Sequence, residues 1–283
     1  MSAGNLSVKR VSTTEAPWVR WTLTGIALLF LFLFLLLPLA AVFTEALRKG
    51  LGAYLAAFRE PDAWSAIWLT LITAAIAVPL NLVFGVAAAW CIAKYEFRGK
   101  AFLTTLVDLP FALPTAVAGI SLTALLAGNG WVGQYLEPLG IKLAFTPAGI
   151  VIALIFIGLP FVVRTVQPVL EDTEKELEEA AMCLGATRLQ TFVRVILPSI
   201  APALLTGFAM AFARAVGEYG SVIFIAGNVP MVSEITPLVI IGKLEQFDYA
   251  GATAVATVML LMSFVLLLVI NALQAWQRKR SGA

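Results

Sequence analysis

The chain has 283 residues, 60% of them hydrophobic and 13% charged, with a net charge of +2 and a mean hydropathy of +0.93. Soluble domains carry roughly 45–50% apolar and about 25% charged residues, so too little polar surface remains to keep this chain in water. Composition therefore excludes a soluble enzyme, and the small net charge excludes a nucleic-acid binder. Without a histidine, histidine-based metal sites, triads and proton relays are also excluded. Cys91 and Cys183 are too far apart in sequence for a CxxC pair and read as small packing residues.

Lipid requires a backbone that satisfies its own hydrogen bonds. The apolar runs are long rather than alternating, which selects helices over a barrel. Charges bound these runs, and a spanning helix needs about 20 apolar residues. The expected architecture is an all-α polytopic transmembrane bundle of about six spans, at 21–44, 66–93, 101–127, 143–163, 199–226 and 249–275. Residues 1–20 and 278–283 form tails on a transmembrane domain covering 21–277. The first run is longer than the roughly 7–15-residue core of a cleavable signal peptide and continues past Pro38, so it reads as a retained anchor. No internal repeat and no second domain stand out.

Lys and Arg beside the spans mark the cytoplasmic side. The group holding both termini and the second and fourth loops carries thirteen of them, against five on the other side. Both termini are expected in the cytoplasm of a multi-pass inner-membrane protein.

The fourth loop, 171–198, differs from the rest. Glu171, Asp172, Glu174, Glu176, Glu178 and Glu179 place six of the 17 acids in nine residues, at what reads as a helix N-terminus. Thr173 and Glu176 have capping-box spacing. Leu177, Ala180, Ala181 and Leu184 share one helical face, and Gly185 stands where a helix C′ residue belongs. Thr187 and Gln190 repeat the box, followed by the apolar Leu189, Phe192, Val193 and Ile196. The loop reads as helix, glycine turn, helix, ending at Leu197-Pro198. Its small apolar face suits docking into a partner's groove or packing on the membrane domain.

Glu179-Ala180-Ala181, then three residues and Gly185, then nine residues and Val195-Ile196-Leu197-Pro198, resembles the EAA loop of ABC-importer permeases; only Val195, in place of isoleucine, departs from the pattern. The stretches 108–119, 160–170, 222–228 and 244–249 resemble the T-type subunits of sulfate/thiosulfate importers, in register from about residue 20 to 275. The resemblance implies a type I importer permease fold, with Glu179, Ala180, Ala181, Gly185, Leu197 and Pro198 coupling it to an ATPase. It also implies a homologous W-type permease, two copies of an ABC ATPase carrying ATP-Mg, and an extracytoplasmic sulfate-binding protein. Membrane lipid surrounds the assembly, and no cofactor is expected on this chain.

The chain has no GxxxxGK[ST] phosphate loop, so it reads as a non-catalytic subunit driven by a partner. A dianion crossing lipid needs donors or helix N-termini at membrane depth. Pro110, Pro114 and Gly119 interrupt the third span, and Thr115 and Ser121 add hydroxyls; the segment reads as pathway or as packing kink. Arg214 and Glu218, four residues apart on the fifth span, read as a buried structural pair or as substrate contacts. Rival readings are a permease for another oxyanion such as molybdate or tungstate, or a self-sufficient secondary transporter. The EAA-like loop and the absence of an inverted repeat stand against the second.

Overall fold

The computed structural model describes residues 16–173 and 175–280, and among these it is helical with no strand. The helices are α1 (Pro17–Leu47), α2 (Leu51–Arg59), α3 (Pro61–Lys94), α4 (Lys100–Ala112), α5 (Thr115–Leu126), α6 (Pro147–Asp172), α7 (Lys175–Cys183), α8 (Arg188–Val216), α9 (Thr236–Glu245) and α10 (Tyr249–Arg280). Five are long and apolar enough to cross a membrane, and the bent pair α4–α5 makes a sixth crossing if it counts as one.

Span boundaries differ from the sequence expectation where a charge or a proline was misread. α1 starts at Pro17, so Arg20 is helical rather than part of a tail; residues 1–15 and 281–283 lie outside the described part. The third span is not one helix, because α4 and α5 meet at 114°. Pro114 disfavours helical backbone at Leu113, which is extended at φ −86° and ψ 131°. The fourth span starts at Pro147, not Leu143, and runs past Arg164 to Asp172. Arg164 does not end it, because its guanidinium makes a two-pronged ion pair with Asp108 on α4. The fifth span ends at Val216, and residues 217–226 fold back through a short turn of helix at Val222–Ile225.

Leu197-Pro198 does not end the second helix of the 171–198 loop, which continues into the fifth span. A π segment at Phe192–Ile196 precedes Pro198, and another at Phe32–Leu36 precedes Pro38. A proline ring clashes with the carbonyl four residues back, and a widened turn relieves that clash without breaking the rod.

The core sits where α3, α6 and α8 cross, and small residues let the backbones approach. A Cβ on Gly85 would lie 2.6 Å from Val162 Cγ1, and one on Gly207 would lie 2.6 Å from Thr165 Oγ1. Asn81, buried at 1% exposure, reaches the Leu154 carbonyl at 3.3 Å and fills the space against Gly158. α1 lies at the edge with its apolar window unburied, and its second half packs on α10.

Ion pairs fix how many times the chain traverses the bundle. At about 1.5 Å per residue the 34-residue α3 is roughly 51 Å long, so its ends mark opposite faces. At its end, Lys94 Nζ meets Glu178 Oε1 of α7 at 2.8 Å. Near its start, Glu60 meets Lys243 at 2.5 Å, and Lys49 meets Asp248 at 3.2 Å. Both sets of contacts require an even number of crossings between their partners. The stretch between α3 and α6, which contains the bent α4–α5 pair and residues 127–146, therefore traverses the bundle once. Burial alone would raise the Asp248 carboxyl, but the Gly251 N–H and the Lys49 and Lys243 charges hold it below the usual carboxylate value.

A methyl at Gly85 has backbone on one side and Val162 on the other. Gly85→Ala should therefore overpack the α3–α6 contact by about 1–3 kcal/mol and lower the melting temperature in detergent. An unchanged melting temperature would show that this crossing is not the tight point of the bundle.

Candidate coupling loop and translocation pathway

The 171–198 segment folds as helix, turn, helix. The turn is a complete Schellman motif: Gly185 N–H reaches the Met182 carbonyl at 2.9 Å, and Ala186 N–H reaches Ala181 at 3.0 Å. Gly185 has φ +81°, and no atom lies within 4 Å of where its Cβ would stand, so the demand for glycine comes from the backbone alone. The second capping box is present. The Thr187 hydroxyl accepts from Gln190 N–H at 3.3 Å, and the Gln190 side-chain Oε1 accepts from Thr187 N–H at 2.8 Å.

The first box is not where spacing put it. The Thr173 hydroxyl donates to the Val169 carbonyl at 2.7 Å and closes α6, while α7 begins two residues later. A hydroxyl at a helix end can turn back to the carbonyl four residues earlier, and here that bond is made. Glu174, one of the clustered acids, lies outside the described residues.

The apolar face of the loop is turned outward. Leu177, Leu184 and Leu189 are 46%, 89% and 72% exposed, and Glu179 and Ala180 are exposed beside them. Packing on the membrane domain therefore fails for this face; it is left for something else to cover. Phe192 and Ile196 turn the other way, Phe192 meeting Trp90 edge-on with centroids 5.5 Å apart.

Four of the suspected pathway residues come together. Gly119 on α5 presses on the Ser221 backbone, where a Cβ would stand 2.7 Å from Ser221 Cα. Gly220 presses equally closely on the Thr115 hydroxyl. The loop that makes both contacts, at Gly220 and Ser221, also carries Glu218, whose side chain is 1% exposed. Its Oε1 accepts from Ser221 N–H and Oγ–H, each at 2.8 Å, and its Oε2 lies 2.5 Å from Arg214 Nη1.

Arg214 and Glu218 do not share a continuing helix: α8 stops at Val216 and the pair closes across its end. Arg214 remains 31% exposed, with further N–H donors beyond the one on Glu218. A neutralised carboxylate, a part-exposed guanidinium and the first turn of the twelve-residue α5 form an environment that tolerates an anion. Ser121 stands apart, on a shallow groove with Ala124, Leu125 and Trp131. Pro110 lies inside α4, half-buried.

Sequence reasoning missed Ser221, the second partner of Glu218. It also missed Asp108 as the partner of Arg164, although both charges interrupt apolar runs and so carried a signal. Among the described residues, no cluster of acids and cysteines could hold a metal.

The two halves of the Arg214–Glu218 pair are unequally buried, so their removal should be unequally costly. Arg214→Ala strands a carboxylate with 1% exposure and should cost about 3–5 kcal/mol, seen as a several-fold loss of monodisperse protein in detergent. Glu218→Ala leaves a guanidinium that can reach solvent and should cost less. The double change to Leu and Met should recover most of the Arg214→Ala loss. Equal losses in the two single variants would deny the asymmetry.

Residues 81–282 match the family described as binding-protein-dependent transport system inner membrane component. The chain is 45% identical over 278 residues to the sulfate transport system permease protein CysT of Synechocystis sp., covering 98% of this chain and 96% of that protein. It is 48% identical over 251 residues to the protein of the same name from Salmonella typhimurium, covering 89% and 91%. Its fold is similar to a chain of a bacterial ABC transporter that imports the acidic polysaccharide alginate, with a TM-score of 0.77 at 17% identity over 91% of this chain and 95% of that one. An amino acid ABC transporter crystallised with histidines matches with a TM-score of 0.53 at 18% identity, over 80% and 98%. The Gly185 turn, the helix α7 with its apolar face exposed and the broken third span thus occur in a chain that belongs to the binding-protein-dependent transport system inner membrane components, as a multi-pass membrane subunit.

Proposed function

We propose that this chain is one half of the membrane channel of an ATP-driven sulfate/thiosulfate importer, paired with a homologous W-type permease. Two copies of an ATPase with ATP-Mg supply the energy, and an extracytoplasmic binding protein delivers the anion. The observation that carries the reading is the 171–198 loop, folded as helix–glycine–helix with its apolar face uncovered by the rest of the described residues. Such a face suits a groove on another subunit. The names of relatives 45–48% identical over most of the chain support the substrate.

The 13-to-5 excess of basic residues favours a cytoplasmic location for the face bearing Lys94 and Glu178, and for both chain ends. In this reading Glu179, Ala180, Ala181 and Gly185 meet the ATPase, while Leu197 and Pro198 belong to the rod that carries its motion inward. The anion passes Thr115, Gly119 and the exposed part of Arg214, where no bare carboxylate repels it.

The test is ATP-dependent uptake of radiolabelled sulfate by the complete complex in vesicles, with its binding protein and with molybdate as competitor. Uptake that molybdate leaves intact supports the reading, and uptake of molybdate in preference to sulfate overturns the substrate. Gly185→Val should leave the spans inserted, because nothing crowds that position. It should impose roughly 1–2 kcal/mol of left-handed strain at the turn and weaken co-purification of the ATPase or uncouple hydrolysis from uptake. Normal assembly and normal uptake in Gly185→Val would remove the loop from the coupling path.

A further inference from the structure

The neighbouring acids Glu178 and Glu179 line one cavity but differ in exposure and partner. Glu179 is exposed, whereas Glu178 turns toward the end of α3 and meets Lys94 there at 2.8 Å. The two side chains are only 12% and 25% exposed. Glu178 Oε1 is buried and receives no hydrogen bond, so the Lys94 charge is its partner. Lys94 Nζ in turn lies 6.0 Å from the Trp90 ring centroid, and Trp90 edge-packs on Phe192 of α8.

The space around this contact is open. A cavity of about 400 Å³ lies between α7 and the spans, lined by Trp90, Tyr95, Met182, Phe192 and Ile196 together with the ion pair. Among the described residues, none of α7 belongs to the buried apolar core that α3 shares with α6 and α8. Among the described residues, Lys94–Glu178 is the one ion pair between the first coupling helix and the spans.

We infer that Lys94 and Glu178 form a latch that sets the docking angle of α7 and couples its displacement to α3, with both acting as positioning residues. The inference rests on the proposed function and goes beyond it. The coupling loop then has attachments of two kinds. The chain joins α7 to α6, which ends at Asp172, and to α8 through the Gly185 turn; the latch joins it across space to α3, which grips α6 at Gly85 some nine residues away. Loss of the latch leaves α7 held by its two chain connections and removes its direct contact with α3.

The experiment uses the complete complex in vesicles and reads sulfate taken up per ATP hydrolysed. Lys94→Met and Glu178→Gln should each lower that ratio at least threefold while the ATPase co-purifies as in the parent. Because the two residues act as one unit, the double variant should fall no further than the worse single variant. An unchanged ratio in either single variant, or losses that multiply in the double, would overturn the latch. A zero-length carbodiimide treatment of the unaltered complex supplies an arm that depends on neither folding of variants nor substrate. It should yield an amide between Lys94 and Glu178 by mass spectrometry, and its absence also overturns the proposal. A parent complex that gives the amide but takes up no sulfate fails the functional reading while the contact stands.

Discussion

A charge in or beside hydrocarbon must be neutralised where it stands, and this fold is arranged around doing so. Isolated ions in a low-dielectric interior are prohibitive, whereas paired ones are tolerated. Arg164 interrupts an apolar run, yet α6 continues through it because Asp108 on α4 takes both prongs of the guanidinium. Glu218 is nearly inaccessible, and it is held by Arg214 and by two donors from Ser221. The Arg164–Asp108 pair joins elements 56 residues apart, and pairs of that kind also fix topology. The contacts of Lys94 with Glu178 and of Lys49 with Asp248 oblige the stretch between α3 and α6, which contains the bent pair, to cross rather than return.

Proline supplies the second constraint, and its effect depends on what surrounds it. Before Pro38 and Pro198 the helix widens to a π turn and continues. At Pro114 it breaks and turns through 114°. The difference lies in the neighbours. Past Pro114 the chain enters Thr115–Gly119, whose small residues press on the 218–221 loop, and that docking holds α5 in its new direction. The same glycines that permit the bend make the broken span part of the site that contains Arg214 and Glu218.

Much of this was legible in the chain because the signals are local. The helical class, the order of the spans and the Gly185 turn follow from apolar runs and from bonds within six residues. The Thr187–Gln190 box was also readable. Thr173 and Glu176 had the same spacing and misled, because a hydroxyl at a helix junction can serve either helix and Thr173 serves the earlier one. Arg164 was read as a loop charge because its partner lies 56 residues away. The end of α8 at Val216 was hidden by an apolar sequence that runs on to Ala226. Hydropathy measures affinity for lipid and says nothing about where a chain folds back within it. The bend angle depends on contacts between α5 and a loop a hundred residues later, which no window of sequence contains.

The continuity of α8 gives the proposed function a mechanical form. Its 29 residues run without a break from Arg188, beside the coupling turn, to Val216, beside the Arg214–Glu218 pair. At about 1.5 Å per residue that rod is roughly 43 Å long, and its π segment keeps Pro198 from breaking it. Close-packed interiors transmit displacement rather than absorb it, and Gly207 holds this rod against Val162 and Thr165. A push on the Gly185 turn therefore reaches the Glu218–Ser221 loop as movement of a single element. That loop is clamped to Thr115 and Gly119, so the first turn of α5 must move with it. The coupling loop and the anion-tolerant site are thus opposite ends of one helix.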